Sequence, residues 1–256
     1  MADGTTMRAP RSSGMSWVPA FRGAYDSELV NLLANQLQPR TVVIDVGAAF
    51  GFWAVALGAR ARAAGAHVIA VEPIGTNAEI LRWNVRRNGL QEHVTVVETA
   101  LDVNSGRLAM SVEAGCGNAA VASGRGQLHQ WIVKDVIARR LDDVLEGVNP
   151  AGWRVSGMKL DVEGWEVRVL LGAGQTVVRN RPVILVEFSP WWLRYHGFEE
   201  CAPFRWASEH AYEVLECRLR RRHVLTDNSI VNLTRLTRQE ERPSGAALWL
   251  RPSQPR

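Results

Sequence analysis

The stretch from Thr41 to Gly51 constrains this chain more than any other. Thr41-Val42-Val43-Ile44-Asp45-Val46 reads as a buried β-strand, stops at Gly47, and passes through Ala48, Ala49, Phe50 and Gly51 into a helical pattern that runs to about Arg62. A buried strand that enters a glycine turn and then a helix is the opening half of a β-α-β unit. The alternation continues with a strand over 67–71, a helix over about 76–88 and a strand over 94–98. It resumes as a strand over 155–160, a helix over 165–171 and a strand over 182–188. Strands that alternate with helices pair in parallel through right-handed crossovers, because a hairpin leaves no room for an intervening helix. The predicted fold is therefore α/β: a Rossmann-like, doubly wound, mostly parallel sheet. Short apolar runs separated by turns from Ala211 to Leu250 predict an antiparallel C-terminal closure of that sheet. A helix over 27–37 precedes the first strand, residues 107–112 and 131–136 read as additional strands, and a helix is predicted near 139–145.

The chain has 256 residues, and neither an internal repeat nor a linker divides it. The expected organisation is one domain over 23–256, preceded by a mobile arm over 1–22 that is rich in Gly, Ser, Pro and Arg. With 46% hydrophobic and 22% charged residues, disordered, fibrous and collagen-like classes are excluded. No apolar run approaches the roughly 20 residues of a membrane span. The N-terminus has no apolar segment behind Arg8 and Arg11, so a cytoplasmic protein is expected. Cys116, Cys201 and Cys217 lack metal-ligand spacing and are expected to be thiols, with neither a zinc site nor a disulfide. The net charge of +4 is built almost wholly from arginine, Lys134 and Lys159 being the lysines. Arg218, Arg220, Arg221 and Arg222 cluster beside His223 without an aromatic ladder or zinc-finger spacing; this reads as a solvated basic face, with a phosphate-binding patch as the alternative. Neither a nucleic-acid nor a membrane partner is expected, and nothing bears on oligomeric state.

The chemistry-bearing residues lie where strands end. In Asp45-Val46-Gly47-Ala48-Ala49-Phe50-Gly51, glycines allow a tight turn and close backbone approach, at the edge of a doubly wound sheet where ligands bind. The spacing lacks the G-x-G-x-x-G of a dinucleotide site and suits a ligand with a nucleoside and an amino-acid end. A tight strand-to-helix joint without ligand stays open. Glu72, before Pro73, closes the second strand 27 residues after Asp45, where a carboxylate can accept hydrogen bonds from ribose hydroxyls. Asp45, Gly47, Ala48, Phe50, Gly51, Glu72, Pro73 and Asp161 are the candidate cofactor residues. Lys159, Asp161 and Glu163 place three charges in five positions at another strand end, costly to bury unless they pair or work. A structural ion pair of Lys159 with either carboxylate is the plainer alternative. Glu187 ends the next strand. Trp191, Trp192, Tyr195 and His196 follow it and offer flat faces for an acceptor or, equally, for a core. The segment 113–130, rich in Gly, Ala and Ser, is a candidate substrate lid.

Together these motifs resemble the FkbM-type methyltransferases, Rossmann-like enzymes that use S-adenosylmethionine. The matching residues are Val43-Ile44-Asp45-Val46-Gly47-Ala48 with Gly51, Val71-Glu72-Pro73, Asn84 and Asn88, Lys159-Leu160-Asp161-Val162-Glu163-Gly164, and Leu185-Val186-Glu187. Gly23-Ala24-Tyr25-Asp26 looks like the family's lead-in. Coverage runs from about residue 23 to 250, and Lys-x-Asp-x-Glu-Gly is the most specific piece. Position 49 is Ala where the family usually has Asn. The resemblance implies a class I methyltransferase-like fold, S-adenosylmethionine as cofactor and O-methylation of a small-molecule hydroxyl, often on a sugar or natural-product scaffold.

The expected reaction is in-line attack of a substrate oxygen on the methyl carbon, with Asp161, Glu163 or His196 taking the hydroxyl proton and Lys159 pairing with a carboxylate. Trp191, Trp192, Tyr195 and Glu187 are the candidate acceptor residues. Mg²⁺ held by Asp161, Glu163 and Glu187 is a less favoured variant. Two rival readings remain: a nicotinamide-dependent oxidoreductase, which the missing G-x-G-x-x-G disfavours, and a methyltransferase-like binding module without catalysis.

Overall fold

The structure is a computed structural model that describes residues 5–10, 27–113, 118–122, 131–149, 152–220, 230–235 and 247–253. The helix α1 (Ser27–Ala34) leads into β1 (Thr41–Val46), α2 (Phe52–Ala64), β2 (His67–Val71), α3 (Gly75–Arg87) and β3 (Val94–Val97). Next come β4 (Ala100–Leu101), β5 (Gly106–Glu113), β6 (Ala119–Val121), β7 (Trp131–Arg139) and α4 (Leu141–Val148). Then follow β8 (Arg154–Leu160), α5 (Glu166–Gly172), α6 (Gly174–Asn180), β9 (Val183–Glu187), α7 (Pro190–Tyr195) and α8 (Ala202–Glu209). The chain closes with β10 (Tyr212–Arg220), β11 (Ile230–Arg235) and β12 (Ala247–Pro252).

The main sheet has eight strands in the order β11-β10-β12-β9-β8-β1-β2-β3. β3, β2, β1, β8 and β9 are parallel, while β12, β10 and β11 are antiparallel additions. The antiparallel closure expected after Ala211 is present and has three strands. From β1 the chain winds outward to β3, then returns to the other side of β1 as β8. That reversal makes the crevice between the carboxyl ends of β1 and β8 the topological switch point.

Alternate residues of each parallel strand face opposite layers. Ile44, Val46, Met158 and Leu160 pack with α4 and α5, while Val43, Val68, Ala70 and Leu185 pack with α1 and α2. Both faces are covered, so these strands read as near-continuous apolar runs. α2 is buried from Phe52 to Gly58, which explains why it shows little amphipathic contrast.

A second sheet, β4-β7-β5-β6, stands over the carboxyl end of the first. Residues 118–122 of the candidate lid belong to it: β6 pairs with β5, with Met110 opposite Val121. Glu113 ends β5, while residues 114–117 and 123–130 of that lid, with the glycines at 115, 117, 124 and 126, lie outside the described residues, as does the lead-in Gly23–Asp26. Residues 5–10 of the N-terminal arm lie along α3. Asn88 Oδ1 accepts from Thr6 N at 2.9 Å and Asn84 Oδ1 from Arg8 N at 2.7 Å. Asn84 Nδ2 also donates to Phe50 O at 2.7 Å, so it ties this segment to the glycine turn after β1.

Candidate active site

At the switch point two main chains meet almost without clearance. Gly47 has φ +76, and a Cβ there would lie 1.9 Å from the carbonyl oxygen of Asp161. Glycine is required at 47 by the approach of β8's end. Gly51, at φ +89, abuts Leu81, where a Cβ would come within 2.1 Å of its Cδ1. Both glycines therefore serve the packing of the turn itself, a role that the residue pattern alone does not separate from ligand approach.

Beneath this turn Asp45 is fully buried, opposite Lys159 in the β1–β8 register. Lys159 Nζ lies 3.4 Å from Asp45 Oδ1 and 3.0 Å from Asp161 Oδ2, and over the ring of Trp53 at 5.6 Å. Burial works against the ammonium, but Asp161 and Asp45 outweigh it and hold Lys159 charged. Burial raises the Asp45 carboxyl, with Lys159 opposing; neither of its oxygens has a well-formed hydrogen bond. Burial also favours neutral Asp161, yet Lys159 wins and keeps it below the usual carboxylate range.

Glu72 is 4% exposed. Its Oε2 accepts from Ala49 N at 2.9 Å, and its Oε1 from Ile74 N at 3.0 Å and Asn77 Nδ2 at 3.1 Å. Three donors leave one of the roughly four lone-pair directions of a carboxylate free. Burial pushes Glu72 up to about 7 in spite of those donors.

A cavity of about 290 Å³ opens between the two sheets. Gly47, Glu72, Pro73, Asp161, Glu163 and Glu187, all candidates from the sequence, line it. The opposite wall is apolar: Leu101 after β3, Leu108 and Met110 of β5, Val121 of β6, and Trp165. Sequence reasoning missed that wall, because strand residues facing a cavity carry the same pattern as strand residues facing a core. The lining carries four carboxylates and, among the described residues, no cationic side chain.

These carboxylates differ in what holds them. Asp161 is bound by Lys159 and hydrogen-bonded to Glu187. Glu187 is raised by the surrounding protein and by Asp161; the residue stays exposed at the rim, which tempers the first cause. Within this pair Glu187 is the carboxyl whose proton affinity is raised and Asp161 the one whose proton affinity is lowered. Glu163 has no hydrogen bond to its carboxylate among the described residues. Burial first, then the charges of Asp161 and Glu166, push it up to about 7, with Lys159 partly offsetting them. Glu166, behind the cavity, accepts from Val162 N at 3.2 Å and Gly164 N at 3.1 Å and so closes the turn that presents Glu163.

The remaining candidates lie elsewhere. Ala48 and Phe50 are core residues at 5% and 2% exposure, and Asp45 and Lys159 lie behind the cavity wall. Trp191, Trp192, Tyr195 and His196 do not line the cavity. They stack on one another, with Trp191 and Tyr195 parallel at 5.6 Å and Trp192 and His196 at 6.1 Å, and His196 Nε2 meets Glu163 O at 2.8 Å. Aromatics that pack on their own neighbours look, in sequence, like aromatics awaiting a ligand. Asp161, Glu163 and Glu187 do not gather, among the described residues, into a metal-holding group. Cys201 and Cys217 are free thiols, Cys116 lies outside the described residues, and no described helix is long and apolar enough to cross a membrane. The arginine side chains at 218–222 also lie outside the described residues.

The cavity suits an adenosyl ligand by two observations. Among the described residues, Glu72, which lines the cavity, accepts from three donors and so has acceptor capacity left, and the indole N–H of Trp165, which also lines it, is buried without an acceptor. Sheet order, switch point and cavity define a Rossmann-like methyltransferase fold of class I. The chain belongs to the FkbM methyltransferase family, whose domain matches residues 45–213. Similar solved structures include an FkbM methyltransferase from Methylobacillus flagellatus KT, with 16% identity and a TM-score of 0.49 over 84% of this chain and 44% of that one. This chain thus spans less than half of that structure's length. An O-methyltransferase from Bacillus cereus in complex with SAH has 13% identity and a TM-score of 0.48, covering 88% and 79% of the two chains. A precorrin-6y C5,15-methyltransferase from Geobacter metallireducens GS-15 has 12% identity and a TM-score of 0.47, covering 97% and 92%. No curated protein sequence matches the chain.

Proposed function

We propose that this protein is an S-adenosylmethionine-dependent O-methyltransferase acting on a hydroxyl of a small molecule, a sugar or natural-product scaffold, with Glu163 as general base. The observation that carries this reading is Glu163 itself: a carboxylate in the cavity wall, free of hydrogen-bond donors among the described residues and held up to about 7. A base works best when its pKa lies near the working pH. Asp161 is spoken for by Lys159, and Glu72 by three donors. When bound, S-adenosylmethionine supplies a methyl group activated by its sulfonium. Glu72 has the free acceptor direction for a ribose hydroxyl. Glu163 would take the acceptor's proton as the acceptor oxygen attacks the methyl carbon, which the cofactor, once bound, would supply together with its sulfur as leaving group. The enclosing second sheet limits the access of water, which would otherwise compete for the methyl group. Among the described residues the lining holds carboxylates and no cation, which favours an acceptor that carries no phosphate or carboxylate beside the reacting hydroxyl.

The test is mass spectrometry of hydroxylated acceptors incubated with methyl-labelled S-adenosylmethionine. Glu163→Gln should lower turnover about a hundredfold or more while affinity for the demethylated cofactor changes less than about threefold. Equal losses in both quantities would remove Glu163 from the chemical step, and a label found on nitrogen would overturn O-methylation.

A further inference from the structure

We infer that His196 is a positioning residue: its Nε2–H holds the main-chain oxygen of Glu163 and thereby fixes the turn that presents the Glu163 carboxylate to the cavity. Only the kinetic importance of this arrangement rests on Glu163 being the base.

Glu163 has φ +53, in the left-handed region that a non-glycine residue enters only at a cost. Such a conformation persists only where surrounding structure imposes it. Two contacts from the α7 segment do so. His196 Nε2 is 2.8 Å from Glu163 O. Gly164 lies so close to the main chain at Trp192 that a Cβ would come within 2.7 Å of the Trp192 carbonyl carbon. Glu166 supports the turn from the other side through Val162 N and Gly164 N.

The imidazole is itself held. Trp165 meets it edge-on at 5.1 Å, Tyr195 meets it edge-on at 5.1 Å, and its own backbone N–H donates to Trp192 O at 3.1 Å. A carbonyl oxygen can only accept, so Nε2 carries the proton. Nδ1 is buried and has no partner among the described residues. A lone pair there is a small loss, but a second proton would be an unpaired buried donor, so the ring stays neutral. Burial accordingly lowers the His196 pKa, with the bond to Glu163 O opposing. The ring therefore remains a fixed neutral donor. Trp131 of β7 packs on Trp192 at 6.1 Å, which joins this support to the second sheet.

The groups facing the Glu163 carboxylate are Asp161, Glu166, Lys159 and Glu187. Release of the turn carries the carboxylate toward water and away from Asp161 and Glu166, both of which favour its neutral form. The full chain, labelled with ¹³C at glutamate carboxyls and assigned by Glu163→Gln, reports this directly without any acceptor. In wild type the Glu163 signal should titrate near 7. In His196→Ala its proton affinity should fall at least about tenfold, while His196→Gln, which keeps an N–H donor, should recover most of that change. An unchanged titration in a folded His196→Ala would overturn the inference. Should His196→Ala not fold, the ¹⁵N spectrum of wild-type His196 decides: a proton on Nε2 supports the role, and a proton on Nδ1 alone overturns it. Loss of turnover in Glu163→Gln is a separate readout, so failure of the base assignment is distinguishable from failure of the positioning role.

Discussion

Lys159 Nζ sits 3.0 Å from Asp161 Oδ2, and this contact bridges the switch point, because the same ammonium reaches Asp45 of the neighbouring strand at 3.4 Å. A buried cation between two carboxylates is costly to dissect. Removal of one member of a buried ion pair leaves an uncompensated charge, with a typical loss of about 3–5 kcal/mol. Lys159→Met should therefore destabilise the fold by about that amount in urea unfolding. Addition of Asp45→Asn should recover at least about 1 kcal/mol, since residues in one network do not act additively. A loss below about 1 kcal/mol in Lys159→Met would contradict the pairing.

Ala49 has φ +47 and presents its N–H to Glu72 from a left-handed conformation. Asn adopts that region more readily than Ala. Ala49→Asn should raise stability by about 0.5–1 kcal/mol and the midpoint of thermal unfolding by about 1–4 °C. A lowered midpoint would show that this position tolerates no larger side chain.

Glu72 and Glu166 are buried and both are pushed from 4.5 up to about 7 by that burial. A group whose folded pKa exceeds its unfolded one binds its proton more tightly when folded. The resulting stability is complete below about 4.5 and is lost as pH rises through about 7. Each group contributes at most on the order of 3 kcal/mol. Asp161, held below the usual range, acts in the opposite sense and at lower pH. Thermal stability should fall between pH 5 and 8, and Glu166→Gln, which keeps an acceptor for Val162 N and Gly164 N, should flatten the fall. An identical slope in wild type and Glu166→Gln would refute this.

Much of this architecture is legible from local pattern. β1 and β2 have the predicted limits because each is an apolar run between breakers, Pro39 and Gly47 for the first, Gly65 and Pro73 for the second. α6, α7 and α8 are not among the predicted helices, although α1, α4 and α5, of similar length, are. The Ser189-Pro190 pair, an N-cap type followed by a proline in the first turn, was the available signal for α7. β5 and β7 were readable as strands, but their union with β4 and β6 into a second sheet depends on pairings far apart in sequence.

The same division holds for the site. Glu72, Asp161, Glu163 and Glu187 stand out because a charge at the end of an apolar strand needs a reason. The apolar wall and the inward stacking of Trp192 and His196 leave no such mark, because an apolar or aromatic residue looks the same whether it faces a ligand or a neighbour.

Calorimetric titration with S-adenosylhomocysteine reports whether the cavity beside Glu72 receives the adenosyl cofactor. Loss of a charged hydrogen bond costs about 1.5–3 kcal/mol, so Glu72→Gln should bind at least about tenfold more weakly than wild type. Wild type should take up one equivalent. The absence of binding to wild type, or equal affinity in a folded Glu72→Gln, would contradict the account.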